Sequence, residues 1–132
     1  MTKISFANPK EIAAPVGYTH VVSVESPRKT LYISGQVSKN QSGELVGEGD
    51  LETQTRQVYS NILAVLRSQG ASFKDVVKLN TYTTHPEKVG TVRRVRGEFI
   101  TGDKPPASTF IGVTALADPA FLIEVEAVAV LE

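Results

Sequence analysis

The sequence predicts an α+β protein in which two helices cover one face of a mostly antiparallel sheet. Three observations support this fold class. Valine-rich segments alternate with the two-residue period of a strand, two other segments repeat apolar residues at helical spacing, and short turn-forming segments separate them. The strand-like segments follow one another mostly through turns, so the predicted order ββαβαββ favours antiparallel pairing.

The first half of the chain contains two predicted strands and one helix. Residues 19–26, THVVSVES, and 30–38, TLYISGQVS, flank the turn-forming PRK and are expected to pair as a hairpin. After a polar, glycine-rich segment, Asp50 is a typical N-cap residue, and Gly70 is a typical helix terminator. Between them the apolar residues recur at helical spacing: Leu51, Val58, Ile62, Val65 and Leu66.

The second half contains one strand, one helix and two further strands. The segment FKDVVKLNTYTT alternates apolar and polar residues and predicts a strand with one buried face. Pro86 suits the first turn of a helix, and TGDKPP ends it. Its expected apolar stripe consists of Val89, Val92, Phe99 and Ile100. Residues 107–114 and 121–131 then predict the last two strands.

The last predicted strand carries two carboxylates on an otherwise apolar surface. Glu124 and Glu126 fall on one face because successive side chains alternate. They could lie on a solvated edge or at the rim of a cleft, and the strand alone favours the edge. The strand is also apolar on both sides, and two helices cannot cover both faces of the sheet. The uncovered face is therefore expected to meet other subunits in a small closed ring.

Composition excludes several function classes. The 132 residues predict one domain, residues 1–132, of ordinary polarity (41% apolar, 21% charged). Fourteen basic and fourteen acidic residues cancel, so neither a nucleic acid nor an anionic membrane is an expected partner. The chain has no cysteine, no signal-peptide pattern and no apolar run of membrane-spanning length, so a cytoplasmic protein is expected. His20 and His85 lack ligand-spaced neighbours, and no metal site is predicted.

Four stretches, taken in order, resemble one family. They are PVGYTHVV, LYISGQV, DVVKLNTY and the pair PPASTF…LIEVEAVAV, and the resemblance to the RidA/YjgF family spans nearly the whole chain. It implies a chorismate-mutase-like protomer and a homotrimer with a barrel-like core and a small-molecule cleft at each subunit interface. It also implies a hydrolase that converts reactive enamines and imines to carbonyl compounds and ammonia without a cofactor.

The resemblance also implies site residues. Glu124 matches the glutamate that the family directs at a water molecule, and Tyr18 matches a cleft tyrosine; both are carried over as catalytic. Ser34 and Gly35 match residues that line the cleft. The residues alone allow plainer interpretations, in which Tyr18 is a packing aromatic and Gly35 lets two strands approach closely.

The chain departs from the family at the residue that binds the substrate carboxylate. Ser108 stands where the family has an arginine, and Phe110 replaces a smaller residue, which should crowd the pocket. A neutral hydroxyl in place of a charged fork loses about 1.5–3 kcal/mol of hydrogen bonding. Glu124 then biases the pocket negative, which opposes binding of the standard 2-imino acids and favours other imines. The alternatives are a non-enzymatic binding or regulatory protein and, third, an endoribonuclease.

One further residue could restore the missing charge. Within the helix after Pro86, helical geometry places Arg96 in the apolar stripe, Arg93 on its flank and Arg94 towards solvent. The family has a cleft asparagine at the position of Arg93, so Arg93 is a candidate substrate-binding residue. The alternative is that Arg93 and Arg96 lay their stems along the core and pair with surface acids.

Overall fold

All 132 residues are described by a computed structural model. Six strands and two helices make up the fold, together with single 3-10 turns at Phe73–Asp75 and Pro86–Lys88. The strands are β1 (Lys3–Ala7), β2 (Val21–Glu25), β3 (Lys29–Gln36), β4 (Val76–Thr83), β5 (Ala107–Gly112) and β6 (Ile123–Leu131). The helices are α1 (Leu51–Ser68) and α2 (Val89–Arg96).

A four-stranded sheet in the order β3-β6-β4-β5 forms the centre of the molecule. Strand β6 runs antiparallel to both β3 and β4, whereas β5 runs parallel to β4 and follows it through α2. Both helices lie on one face and bury the main apolar core against it. The predicted α+β class, the mostly antiparallel sheet and the single covered face are confirmed.

The predicted hairpin between residues 19–26 and 30–38 is wrong. Strand β2 pairs with the unpredicted β1 in a separate two-stranded sheet, with Ile4 opposite Val24. Strand β3 pairs instead with β6. Ser26 has a left-handed backbone (φ 52°) and precedes Pro27, which lacks an N–H, so this turn does not continue β2 into an antiparallel partner.

Helix α1 begins and ends where the sequence predicts. The Asp50 side chain accepts a hydrogen bond from the Thr53 N–H (3.2 Å) and caps the N-terminus. Gly70 follows the helix with φ 74°, and the Ala71 N–H returns to the Leu66 carbonyl (2.9 Å), which is a typical C-terminal arrangement. The buried face carries the predicted apolar residues and also two polar side chains, Gln54 and Thr55.

Helix α2 is shorter than predicted and buries a different stripe. Its buried residues are Val92 and Val95, and it ends at Arg96 before Gly97, so Phe99 and Ile100 reach the core from beyond the helix. Glycine is a poor helix former, which explains the early end.

The face of the sheet away from the helices is left open in the single chain. Tyr32 of β3 is 83% exposed there, and Glu124 and Glu126 of β6 share that face. Because β6 lies between β3 and β4, the two carboxylates do not lie at an edge of the sheet. The interpretation of Glu124 and Glu126 as residues of a solvated edge is therefore wrong. Whether this face packs in a trimer stays a prediction. Neither helix has the length and apolar character that a membrane span requires.

Candidate functional site

Three polar side chains and one glycine come together on the open face of the sheet, and we call them the acidic cluster. Glu124 and Glu126 belong to β6, Tyr82 belongs to β4 and lies directly opposite Glu124, and Gly35 belongs to β3. All three side chains are half-buried. Ser34 precedes Gly35 and is exposed. Of the predicted site residues, the structure therefore brings Glu124, Ser34 and Gly35 together.

The side chain of Glu124 occupies the space above Gly35. A Cβ atom at residue 35 would lie 2.8 Å from Cδ and 2.9 Å from Cγ of Glu124, closer than carbon atoms approach each other. The pairing of β3 with β6 shifts register between Ile33 and Gln36, so Gly35 lies in an irregular part of the strand. Glycine at this position leaves room for the Glu124 carboxylate on the sheet surface.

Glu126 is held by a neighbouring phenol. The Tyr82 hydroxyl donates a hydrogen bond to Glu126 Oε1 (2.6 Å), so Glu126 is paired rather than free. This hydrogen bond is the main cause that raises the pKa of Tyr82, with burial and the charges of Glu126 and Glu124 adding to it. Lys78, on the same face, donates to Thr109 Oγ1 (3.0 Å).

Neither carboxylate of the acidic cluster forms an ion pair with a positively charged side chain. The ion pairs of the chain connect Arg56 to Glu52 and Glu98, and Arg94 to Glu52, all away from the cluster. The cluster is thus negatively biased within one chain. A carboxylate ligand would be repelled unless a cation is supplied from elsewhere.

A buried glutamine fixes the start of β6, and sequence reasoning missed it. Gln54 of α1 is completely buried and donates to the carbonyls of Gly47 (3.1 Å) and Ala120 (2.9 Å). Its Oε1 accepts from the Leu122 N–H (2.9 Å), two residues before Glu124. Gln54 is the one glutamine at a buried position of α1. A polar side chain at a helix position that faces the core was the sequence signal that could have identified it.

A second group of residues lies near the start of β5, and we call it the Tyr18 niche. It consists of the Gly17–Thr19 segment, Arg96 and the segment from Pro105 to Ser108. Thr19 attaches the first segment to the last, since its N–H donates to the Pro106 carbonyl (3.2 Å) and its hydroxyl to the Pro105 carbonyl (2.5 Å). Tyr18 is half-buried, and its ring packs edge-on against His20 at 5.3 Å. Tyr18 has a packing contact, whereas its catalytic role stays a prediction.

The two groups lie on opposite faces of the sheet. In the parallel pair of β4 and β5, Ser108 lies beside the buried Leu79, and Phe110 lies beside the buried Thr81. The side chains of Ser108 and Phe110 therefore face the helices. Phe110 packs against the core, and whether it also crowds a ligand pocket stays a prediction. Within one chain the structure does not bring Tyr18, Ser108 or Phe110 to Glu124.

The three arginines of α2 have different surroundings. Arg94 pairs with Glu52 (2.7 Å), and Arg96 donates to the Gly17 carbonyl (3.1 Å). Arg93 is exposed and makes no side-chain hydrogen bond or ion pair. The expectation that Arg93 and Arg96 pair with surface acids is therefore wrong. A ligand-binding role of Arg93 stays a prediction.

A further cavity has neither Glu124 nor Tyr18 in its lining, although Pro106 of the Tyr18 niche contributes to it. It has a volume of about 510 Å³ and is formed by apolar side chains of the core margin, among them Phe6, Leu63 and Phe99, under a rim of charged residues. No three His, Asp or Glu side chains lie close enough to hold a metal ion. His20 contacts the Ala13 carbonyl through Nε2 (2.7 Å), and His85 precedes the Pro86–Lys88 turn. Both positions are typical of histidines with a structural role.

Comparison with known proteins gives a consistent result. Residues 8–131 match the family described as Endoribonuclease L-PSP. A RutC family protein of Pyrococcus horikoshii is 37% identical over 103 residues, which cover 77% of this chain and 79% of the relative. A protein of Dermatophagoides farinae named 2-iminobutanoate/2-iminopropanoate deaminase is 31% identical over 119 residues, 89% of each chain.

A solved structure agrees with the fold over almost the entire chain. The Rid family protein YyfB of Yersinia pestis, described as a protein of unknown function, superimposes with a TM-score of 0.89. It is 43% identical and covers 97% of this chain and 98% of its own.

Proposed function

Since this chain belongs to the RidA/YjgF family, we propose that it hydrolyses small reactive imines and enamines to carbonyl compounds and ammonia. The observation that carries the proposal is the position of Glu124, whose carboxylate lies over Gly35 on the open face without a cation beside it. An unpaired, half-buried carboxylate is suited to accept a proton from water.

The chemistry needs one base and a site that excludes bulk water. A water molecule adds to the carbon of the C=N bond while Glu124 accepts its proton, and the same proton passes to the nitrogen. The resulting carbinolamine then loses ammonia as its hydroxyl becomes a carbonyl group. An enamine first takes a proton at carbon and releases one from nitrogen, which gives the imine. The balance is one water consumed and one ammonia released for each carbonyl formed.

Tyr82 and Glu126 support this role of Glu124 indirectly. Their hydrogen bond occupies Glu126 and leaves Glu124 as the carboxylate without a protein partner in the acidic cluster.

The cleft is proposed to form between subunits of a homotrimer. In a single chain the acidic cluster and the Tyr18 niche lie on opposite faces of the sheet, so no one copy surrounds a ligand with both. If the open face packs against a neighbouring copy, the niche of one subunit can approach the acidic cluster of the next. Tyr18 and Ser108 would then line the ligand with Ser34, Gly35 and Glu124, and water would be excluded.

An endoribonuclease activity, which the family description names, has less support. The net charge is zero, and the acidic cluster presents two carboxylates without a cation. Such a surface repels a phosphodiester backbone.

The proposal is tested by generating 2-iminobutanoate with threonine dehydratase and following its decay with and without this protein. A wider imine panel, including imines without a carboxylate, completes the measurement. We expect acceleration that falls by about 10²–10⁴-fold in Glu124→Gln, because the general base is lost. Glu126→Gln is the matched control on the same face and should keep most of the activity.

The outcomes separate the two leading functions. Acceleration that disappears with Glu124 supports the hydrolase. A protein that accelerates no imine on the panel but binds small metabolites is instead the non-enzymatic binding protein. A fully active Glu124→Gln variant would remove Glu124 from the mechanism.

A further inference from the structure

A cavity of about 510 Å³ lies between β1, the C-terminal part of α1, the Phe73–Asp75 turn and the loop that leads to β5, and we call it the α1 cavity. Pockets that hold small molecules commonly have volumes of about 300–1,000 Å³. No residue of the acidic cluster lines the α1 cavity, and Pro106 is its one residue from the Tyr18 niche. The proposed hydrolysis therefore leaves this cavity without a role.

Aromatic rings form the inner wall of the α1 cavity. Phe73 and Phe99 both line it, and their ring centroids lie 5.8 Å apart. Each ring also packs against the completely buried Tyr59, at 5.8 Å for Phe73 and 5.5 Å for Phe99. Phe6 of β1 contributes a third ring to the lining. Because the core holds two of these rings from behind, the cavity presents a preformed surface for a flat apolar ligand.

The loop between α2 and β5 forms the outer wall, and both of its ends are fixed. At its start, the N–H groups of Phe99 and Ile100 both donate to the Arg96 carbonyl (2.9 Å each). At its end, the Pro106 carbonyl accepts a hydrogen bond from the Thr19 N–H (3.2 Å). A ligand therefore has little backbone to order when it enters, which favours binding.

The charges at the rim of the α1 cavity favour an anion. Lys74 and Lys104 come from different segments, and neither side chain makes an ion pair or a hydrogen bond. Glu98 also lines the cavity, but Arg56 binds both of its carboxylate oxygens (3.0 and 2.7 Å). Asp103 is the one acid of the lining without a cation. Two available cations thus stand against one available carboxylate.

We infer that the α1 cavity is a binding site for a small aromatic acid. The ring system of the ligand packs on Phe73 and Phe99, and its negative group lies at the rim that carries Lys74 and Lys104. Lysine is a flexible point charge, so the site accepts a carboxylate or a sulfonate and selects mainly for the apolar body. The occupant is not the substrate of Glu124, because the acidic cluster has no part in this cavity.

The inference is tested with anilinonaphthalenesulfonate, an aromatic sulfonate that fluoresces when it is bound in apolar surroundings, and with phenylnaphthylamine, which has the same rings and no charge. The chain has no tryptophan, so the emission of either probe is measured without interference from indole. We expect saturable binding of one sulfonate per chain. The double variant Lys74→Gln/Lys104→Gln should weaken the sulfonate at least fivefold and change the affinity for phenylnaphthylamine by less than twofold.

The double variant Lys10→Gln/Lys88→Gln is the matched control for charge, because both lysines are exposed and neither lines the α1 cavity. It should change neither affinity by more than twofold. An equal loss of sulfonate binding in the two double variants would show that only the net charge of the chain matters, and it would overturn the inference. So would a parent protein that binds no sulfonate.

A substitution in the wall locates the probe. Leu63 is half-buried on α1 and lines the cavity, so Leu63→Glu should weaken both probes at least tenfold. Ala64→Glu is the matched control, since Ala64 is the next residue of α1, is exposed and is not part of the lining. Thermal unfolding should show one cooperative transition for each variant. A probe that is weakened by Tyr32→Glu and not by Leu63→Glu would lie on the open face of the sheet, and the inference would fail.

The site is independent of the proposed hydrolysis. Glu124→Gln should bind the sulfonate as tightly as the parent does, whatever the imine measurements give. If Glu124→Gln loses the sulfonate while Leu63→Glu keeps it, the anion site belongs to the acidic cluster and the inference is overturned.

Discussion

The Glu124 side chain lies over the bare backbone of Gly35 on the neighbouring strand. A methyl group at residue 35 would come within 2.8 Å of Cδ of Glu124. The two residues belong to strands that meet only through long-range pairing of β3 with β6. The position of the proposed base thus depends on the absence of a side chain elsewhere in the sequence.

Gly35→Ala should disable the site with little loss of stability. The added methyl group meets the flexible end of Glu124, which can swing aside, so we expect the unfolding temperature to change by only a few degrees. A displacement of about 1 Å at a reacting group can cost about 10²-fold in rate, so turnover should fall at least tenfold. The check is to measure imine hydrolysis and thermal unfolding on the same preparation.

Gly90→Ala is the matched control for that experiment. Gly90 lies in α2 with nothing within 4 Å of an added Cβ, so alanine should stabilise the helix by about 1 kcal/mol and leave turnover unchanged. If Gly35→Ala is as active as the parent, the close contact with Gly35 does not control Glu124.

Tyr32→Glu should dissociate the proposed homotrimer. Tyr32 is 83% exposed on the open face of the sheet, opposite Val128 of β6. A carboxylate buried there by a neighbouring copy would be unpaired and costly. Light scattering should give about three times the 14.2 kDa chain mass for the parent and a smaller mass for the variant.

Ala64→Glu controls for added charge at an exposed apolar residue away from the open face, since Ala64 is exposed on α1, on the side of the sheet that the helices cover. Its mass should equal that of the parent. A parent protein that is a stable monomer would remove both the trimer and the clefts proposed between its subunits.

Glu126→Gln should lower the pKa of Tyr82. The hydrogen bond to Glu126 holds the phenol in its protonated form, so its pKa lies above the ordinary value of 10.0. The stabilisation from this proton is complete below that ordinary value and is lost as the pH rises through the raised pKa of Tyr82. Removing the carboxylate charge should move the titration towards 10.0.

The titration can be followed by the absorbance of tyrosinate near 295 nm, with Tyr82→Phe identifying the contribution of this residue. If Tyr82 has the same pKa in Glu126→Gln as in the parent, the Glu126 carboxylate is not what raises the pKa of Tyr82 in solution. The four tyrosines of the chain make the Tyr82→Phe subtraction necessary.

Gln54→Leu should destabilise the fold through the loops that it joins. The substitution leaves the Leu122 N–H and two carbonyls without their buried partner. Each unsatisfied buried group costs about 1–3 kcal/mol, so we expect the free energy of unfolding to fall by at least about 2 kcal/mol in denaturant titrations.

Gln57→Leu, one turn along α1, is the control because the Gln57 amide contacts mainly the neighbouring Asn61 side chain (2.8 Å). It should cost much less than Gln54→Leu. Equal stability of Gln54→Leu and the parent would show that the loop groups find other partners.

The elements with strong local signals could be predicted from the sequence. Asp50 and Gly70 mark the ends of α1 because a cap and a left-handed turn are properties of a few adjacent residues. The alternation in β4 and β6 likewise follows from neighbours in sequence. The family resemblance identified Glu124, Ser34 and Gly35, which the fold brings together.

Other features were decided only by the tertiary structure, because they depend on contacts between distant residues. No local pattern reveals that β3 leaves β2 to pair with β6, that Tyr82 reaches Glu126, or that Arg96 reaches Gly17. The same holds for the face on which Ser108 lies, since the parallel register with β4 sets it. Local periodicity determines which segments become strands and helices, whereas long-range packing determines which side chains share a site.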